Sequence, residues 1–161
     1  MAEARYELYT GAYELTIDEK NRLSIPAKIR NRMHPDTDGT GFYLVLGLRA
    51  GTLSLYADRY FRVYAERLAA EMAFGEEQQT FEALFFSKCA ELEIDKQGRV
   101  TLPEHMLEAA KIGRAVYLTG ARDHLDLWNK DHYLAFVRET QDRIMELRCK
   151  AHAKWDRTAR L

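Results

Sequence analysis

The chain has 161 residues, of which 47% are hydrophobic and 30% charged, and its formal net charge is −1. This length predicts one globular domain, or two small modules that share a core, and the near-neutral charge excludes a global basic surface of the kind that binds polyanions. No run of about 18 apolar residues occurs, so the sequence also excludes a transmembrane helix.

The start of the chain, MAEARYE, has no apolar segment of the kind that directs secretion. Cys89 and Cys149 are the only cysteines, and they form no Cys-x-x-Cys motif. In a reducing cytosol these cysteines are most simply free thiols.

The chain contains a duplication. Residues 14–26 read ELTIDEKNRLSIP, and residues 91–103 read ELEIDKQGRVTLP. Asp95 follows Asp18 by 77 positions (95 − 18 = 77), and Arg99 follows Arg22 by the same interval, so the two copies align without a gap. A loop that occurs twice and carries an arginine each time suits a repetitive, polyanionic partner.

In chain order, each copy begins with alternating apolar residues, which predict a half-buried strand. The Asp-x-x-x-Arg segment that follows predicts a turn, because the carboxylates of Asp18 and Asp95 can accept backbone N–H groups. Asn21 and Gly98 occupy the turn position that most needs a positive φ, so we expect these four residues to orient the two loops. The alternation then resumes and ends at a proline, which predicts the start of a short helix.

The second part of each copy predicts two more strands, and helical patterns follow both copies. The predicted strands are 43–47, 53–56, 116–120 and 125–128, and the predicted helices are 27–33, 58–72, 76–86, 104–110 and one long helix after Asn129 that carries Leu147 and ends in a polar, frayed tail. The chain therefore divides into a first repeat (12–58), connecting helices (59–86), a second repeat (88–131) and a C-terminal helix with a polar tail (132–161).

Two segments resemble one bacterial protein family. DEKNRLSIPAKIR at residues 18–30 resembles the first repeat of the MraZ family, and FFSKCAELEIDKQGRVTLP at residues 85–103 resembles the second. The sequence LDLW at residues 125–128 fits as well. Members usually have glycine where Asn21 stands, and Phe-x-Gly where this chain has Tyr-Thr-Gly at residues 9–11.

The resemblance implies an α+β fold with a mainly β core and outer helices, in which two AbrB-type swapped hairpins form a double-split β-barrel. It implies a sequence-specific DNA-binding transcriptional regulator that uses the paired Asp-x-x-x-Arg loops as its DNA-contact motif. The implied partners are further copies of the chain, in a ring-like homo-oligomer, and double-stranded DNA with direct repeats. Those repeats lie upstream of a division and cell-wall gene cluster that includes the regulator's own gene, which implies a cytoplasmic, nucleoid-associated protein.

Arg22 and Arg99 are the first candidates for contacts to DNA. Each could pair with its own aspartate and brace the turn, or reach DNA and either bond guanine O6 and N7 or clamp a phosphate. The two interpretations are compatible if the aspartate orients the arginine. Further candidates are Lys20, Lys28 and Arg30 as phosphate contacts, and Lys96 and Gln97 in the outer turn of the second copy. For these five, a solvated surface position is the alternative.

Other classes of function find little support. None of the five histidines belongs to an H-E-x-x-H or Cys/His zinc spacing, and no glycine-rich phosphate-binding motif occurs. We therefore expect no catalytic residue, metal, cofactor, small-molecule substrate or membrane partner. Two alternatives remain open: an antitoxin-like module and a homo-oligomeric scaffold, each with a protein as its main partner and only non-specific affinity for DNA. An antitoxin should carry a disordered tail, whereas the segment after the second copy predicts a structured helix.

Overall fold

The structure is a computed structural model that describes residues 6–159. Its elements in chain order are β1 (Ala12–Thr16), β2 (Arg22–Ser24), α1 (Ala27–Arg30), β3 (Gly41–Leu46), β4 (Thr52–Ala57), α2 (Asp58–Glu71), α3 (Glu76–Ser87), β5 (Ala90–Glu93), β6 (Arg99–Thr101), α4 (Glu104–Ala109), β7 (Ala115–Gly120), β8 (Leu125–Asn129), α5 (Lys130–Thr140) and α6 (Arg143–Thr158). Up to the end of β8, these elements match the predicted ones within a few residues at each end.

The strands pair across the two copies. The main sheet has the order β1-β7-β8-β4-β3-β5, so β1 of the first copy pairs with β7 of the second, and β5 of the second pairs with β3 of the first. The short strands β2 and β6 form a separate antiparallel ribbon. Each copy thus lends strands to the other, and the predicted α+β class with a mainly β core and outer helices is confirmed. The strand pairing does not by itself close a barrel, so the double-split barrel stays a prediction.

The hydrophobic core contains side chains from both copies because inward and outward residues alternate along the strands. Leu44, Leu55 and Leu118 have no exposed surface, and burying each such side chain contributes roughly 1.5–3 kcal/mol. Leu23 and Val100 at the middle of the ribbon belong to the same cluster, with 0% and 1% of their surface exposed. The ribbon therefore has one face toward the core, and its other face points away from it.

The C-terminal segment corrects the predicted elements. In place of one long helix, α5 and α6 are separated by a turn at Gln141 and Asp142. The Thr140 hydroxyl donates to the Phe136 carbonyl at 2.6 Å, and this kind of bond to the preceding turn bends helices. Thr and Asp are also poor helix formers, so the sequence is locally weak at this point. Within residues 6–159, the chain forms two compact units that divide between Lys130 and Asp131.

The tail that was expected to fray is helical, since α6 continues to Thr158. Its residues are mostly strong helix formers, and the Glu146–Lys150 ion pair at 2.6 Å has the i,i+4 spacing that supports a helix. Within residues 6–159, no helix combines the length and the apolar character needed to cross a bilayer.

Candidate nucleic-acid interface

Turn 1 (residues 18–22) is built around the carboxylate of Asp18. Its Oδ1 accepts the backbone N–H groups of Lys20 and Arg22, each at 2.9 Å, and its Oδ2 accepts Arg22 Nε at 2.7 Å. These bonds lower the pKa of Asp18, with the backbone N–H of Arg22 as the largest cause. The aspartate is therefore ionised at neutral pH, and it fixes both the backbone of the turn and the direction of the arginine.

Turn 2 (residues 95–99) repeats this scheme. Asp95 Oδ1 accepts the backbone N–H groups of Gln97 and Arg99, and its Oδ2 accepts Arg99 Nε at 3.0 Å. The pKa of Asp95 is lowered, again mainly by the backbone N–H of the arginine. One contact has no equivalent in turn 1, because Arg99 Nη2 also donates to Gln97 Oε1.

The fourth position of each turn has a positive φ, which is 58° at Asn21 and 78° at Gly98. Asparagine is one of the few residues besides glycine that adopt this region readily. At Gly98 a second constraint applies, because an added Cβ would lie 2.5 Å from the guanidinium carbon of Arg30. The counterpart of Arg30 in the other copy is Leu107, which lines a surface cavity of about 230 Å³ together with Asn21. Turn 1 therefore has room for a side chain where turn 2 has none.

The ribbon brings the two arginines to the same face. Arg22 lies opposite Thr101, and Arg99 lies opposite Ser24, so the arginines are diagonal neighbours with Cα atoms about 7–8 Å apart. Since the buried Leu23 is the intervening residue on β2, both arginines point away from the core. The side chains of Arg22 and Arg99 are 30% and 25% exposed.

The remaining candidates fall into two groups. Lys20, Lys28 and Lys96 are exposed and form no ion pair with any residue from 6 to 159. Arg30 is only half-exposed, donates from Nε to the Ile25 carbonyl at 2.9 Å and covers Gly98. Arg30 therefore supports turn 2 from the protein side, whereas the exposed Gln97 supports it through its bond to Arg99.

Arg114 was not predicted as part of the site. Its Nη1 donates to the carbonyls of Ile17, at 3.3 Å, and Asp18, and its own carbonyl accepts the Ile17 N–H at 2.9 Å. Arg114 precedes β7 in the second copy, yet it anchors the base of turn 1 in the first. No sequence pattern indicates this contact, because it depends on the pairing of β1 with β7.

The described residues bear on two other kinds of chemistry, metal binding and thiol catalysis. No group of three or more His, Cys, Asp and Glu side chains between residues 6 and 159 is placed to hold a metal ion. Burial raises the pKa of the Cys89 thiol to about 11, so this cysteine is a packed thiol and not an activated nucleophile.

The fold and the site define a class of protein, namely a duplicated swapped hairpin with two aspartate-braced arginine turns on one β-ribbon. The family model described as MraZ protein, with the further description antitoxin-like, matches residues 8–83 and 85–151. The chain belongs to the MraZ family.

Relatives in this family carry the name Transcriptional regulator MraZ, and the three compared below are not named as enzymes. The relative from Mycoplasmopsis pulmonis is 35% identical over 136 residues, which cover 84% of this chain and 88% of that protein. The relative from Carboxydothermus hydrogenoformans is 32% identical over 140 residues, which cover 87% and 94%. The relative from Clostridium acetobutylicum is 30% identical over 135 residues, which cover 84% and 91%.

Proposed function

We propose that the protein is a sequence-specific DNA-binding transcriptional regulator. The observation that carries this proposal is the pair of arginines, Arg22 and Arg99, on one exposed ribbon face, each braced by an ionised aspartate. Two-stranded ribbons of this width enter the major groove in several classes of DNA-binding protein. The name shared by the relatives supports the same role.

The aspartates make the arginines better ligands for DNA. Arg22 uses Nε for Asp18, and neither of its terminal nitrogens forms a hydrogen bond with residues 6–159. An arginine held in this way loses little side-chain freedom on binding, so more of the interaction energy is available to the complex. Its remaining donors can form a bidentate contact with guanine O6 and N7, or clamp a phosphate.

One subunit presents few cationic contacts, so tight binding requires several subunits. Besides the two arginines, only three lysines are proposed to approach the DNA: Lys20, Lys28 and Lys96. We infer a ring-like homo-oligomer that binds direct repeats, because linking weak sites raises affinity through effective concentration. The target we propose is the DNA upstream of a division and cell-wall gene cluster that includes the regulator's own gene, which makes the protein cytoplasmic and nucleoid-associated.

The experiment compares a labelled duplex from the DNA directly upstream of the gene with a shuffled duplex of the same composition. Binding is measured at about 50 and about 200 mM salt, with one, two and three copies of the repeated element. We expect the upstream duplex to be preferred at both salt concentrations, and affinity to increase with the number of repeats. Equal and strongly salt-dependent binding to both duplexes would favour the scaffold, and no binding to either would favour an antitoxin-like protein with a protein partner.

A further inference from the structure

The outer face of the ribbon carries two hydroxyl side chains beside the arginines. Leu23 and Val100 point into the core, and because side chains alternate along a strand, their neighbours Ser24 and Thr101 point to the opposite face. Both are exposed, and neither hydroxyl forms a hydrogen bond with any residue between 6 and 159. Hydrogen-bonding groups that are open to solvent beside a proposed DNA contact are themselves candidates for that contact.

The register of the ribbon joins each hydroxyl to one arginine. Arg22 lies opposite Thr101, and Ser24 lies opposite Arg99. Backbone hydrogen bonds between positions 25 and 98, and between 102 and 21, flank these two pairs, which makes both of them non-hydrogen-bonded pairs. In such pairs the side chains approach closely, with Cβ atoms about 4.5–5.5 Å apart. Each hydroxyl is therefore within reach of the group that the opposite arginine binds.

The chemistry of each pair fits a phosphate. Arg22 offers its terminal N–H groups, and Thr101 offers a neutral hydroxyl that can donate one hydrogen bond. A phosphate has several acceptor oxygens, so one oxygen can face the guanidinium while the next faces the hydroxyl. Ser24 and Arg99 form the same combination at the other end of the ribbon. Serine and threonine hydroxyls donate to DNA phosphates and can also bond base edges, so the test must separate the two kinds of contact.

We propose that Ser24 and Thr101 bind DNA phosphates together with Arg99 and Arg22, so that each subunit presents two arginine–hydroxyl pairs. This inference rests on the proposed function, since it requires the ribbon to face DNA. A hydroxyl contact differs from a lysine contact in one measurable way. It contributes to affinity without releasing a counterion, so it does not contribute to the dependence of binding on salt.

The test uses the full chain with Ser24→Ala, Thr101→Val and the double substitution, measured by fluorescence anisotropy on the upstream and shuffled duplexes. We expect each single variant to bind about three- to tenfold more weakly, as the loss of one hydrogen bond predicts, and the double variant to bind more weakly still. The loss should be equal on both duplexes, and the slope of log K against log salt should stay at the wild-type value.

Thr80→Val is the matched control, because Thr80 is an exposed threonine on α3, outside the ribbon. It should bind as the wild type does, and urea unfolding of all variants checks that the fold survives. Wild-type binding by both hydroxyl variants, beside a clear loss in Arg22→Ala, would overturn this inference and leave the proposed function standing. A loss on the upstream duplex alone would overturn the phosphate contact in favour of base edges. A wild-type protein without affinity for DNA would overturn both proposals.

Discussion

Turns 1 and 2 share one hydrogen-bond scheme but hold their arginines differently. Among the described residues, the guanidinium of Arg22 makes one bond, from Nε to Asp18 at 2.7 Å, whereas that of Arg99 bonds both Asp95 and Gln97. Each turn is also contacted by a residue of the opposite copy, but at a different place. Arg30 covers Gly98 in turn 2, and Arg114 anchors the base of turn 1. A duplicated motif can thus keep its backbone while one copy holds its arginine with a carboxylate alone and the other adds an amide oxygen.

The largest expected effect comes from removing either arginine. We expect Arg22→Ala and Arg99→Ala each to lower affinity for the upstream duplex about ten- to hundredfold, as the loss of a charge-assisted contact to a phosphate predicts, with repeated subunits multiplying the effect. A larger fall on the upstream duplex than on the shuffled one would show that the arginine also contacts base edges. The measurement is an anisotropy titration on both duplexes.

Arg59→Ala is the matched control for the arginine variants, because Arg59 is an exposed arginine on α2. It should change affinity little. If only one of Arg22 and Arg99 affects binding, the ribbon contacts DNA through a single turn, and the other turn has only a structural role. If neither affects binding in a folded protein, the proposed site is wrong.

The next effect concerns stability and separates the two constraints on Gly98. Asparagine already occupies the equivalent position at Asn21, so a positive φ alone would let Gly98→Asn be tolerated. The Arg30 side chain occupies that space in turn 2, so we expect Gly98→Asn to lower the free energy of unfolding by about 1–2 kcal/mol, as steric strain of this kind does. Urea unfolding monitored by circular dichroism measures the change.

A second substitution makes this prediction sharper. Arg30→Leu introduces the residue found at the equivalent position of the other copy, Leu107 on α4. In the Gly98→Asn background it should restore most of the lost stability, because it opens the same space beside the turn. Without coupling, the two substitutions would add, as independent sites do. Additive losses in the double variant would show that the backbone of turn 2, and not the overlying arginine, demands glycine.

A smaller effect distinguishes the side chains at the tips of the turns. Gln97→Ala removes the second bond to Arg99, so we expect affinity to fall about three- to tenfold while the salt dependence stays unchanged. The Lys20 side chain forms no ion pair with residues 6–159, so Lys20→Ala should instead reduce the slope of log K against log salt by about one. Salt titrations of the two variants check this difference, and a reduced slope in Gln97→Ala or wild-type affinity of that variant would contradict the prediction.

The local part of the site could be predicted from the sequence, and the part that crosses between copies could not. Asp18 and Arg22 are four residues apart, so their contact depends only on the turn that the spacing itself specifies. Arg30 reaches Gly98, and Arg114 reaches Asp18, only because strands are exchanged between the copies. The predicted long C-terminal helix was wrong for a different reason, since the hydrophobic pattern continues across a point where local helix propensity is weak.

In the β7–β8 hairpin, as in the two exposed turns, carboxylates hold a basic side chain in place. The His124 ring is stacked on Tyr56 and lies between two carboxylates, with Nδ1 2.7 Å from Asp123 Oδ1 and Nε2 3.2 Å from Asp126 Oδ1. A ring that donates to both carboxylates is doubly protonated. Burial alone would lower the pKa of His124, but the hydrogen bonds to Asp126 and Asp123 outweigh it and raise this pKa. Further groups facing the two carboxylates are Tyr60, Ser54 and Arg122.

The smallest expected effect is a pH dependence of the free energy of unfolding that arises from His124. Asp18 and Asp95 contribute none between about pH 5.5 and about pH 8, because their pKa values are lowered. Because the pKa of His124 is raised on folding, its contribution is complete below the unfolded value of about 6.5 and is lost as the pH rises through the folded value. The free energy of unfolding should therefore fall more between about pH 5.5 and about pH 8 in the wild type than in His124→Gln. Asp123 adds no slope there, since its pKa is lowered and its contribution is lost only in acid. Equal falls in the two proteins would mean that the neutral ring holds the hairpin as well as the imidazolium does.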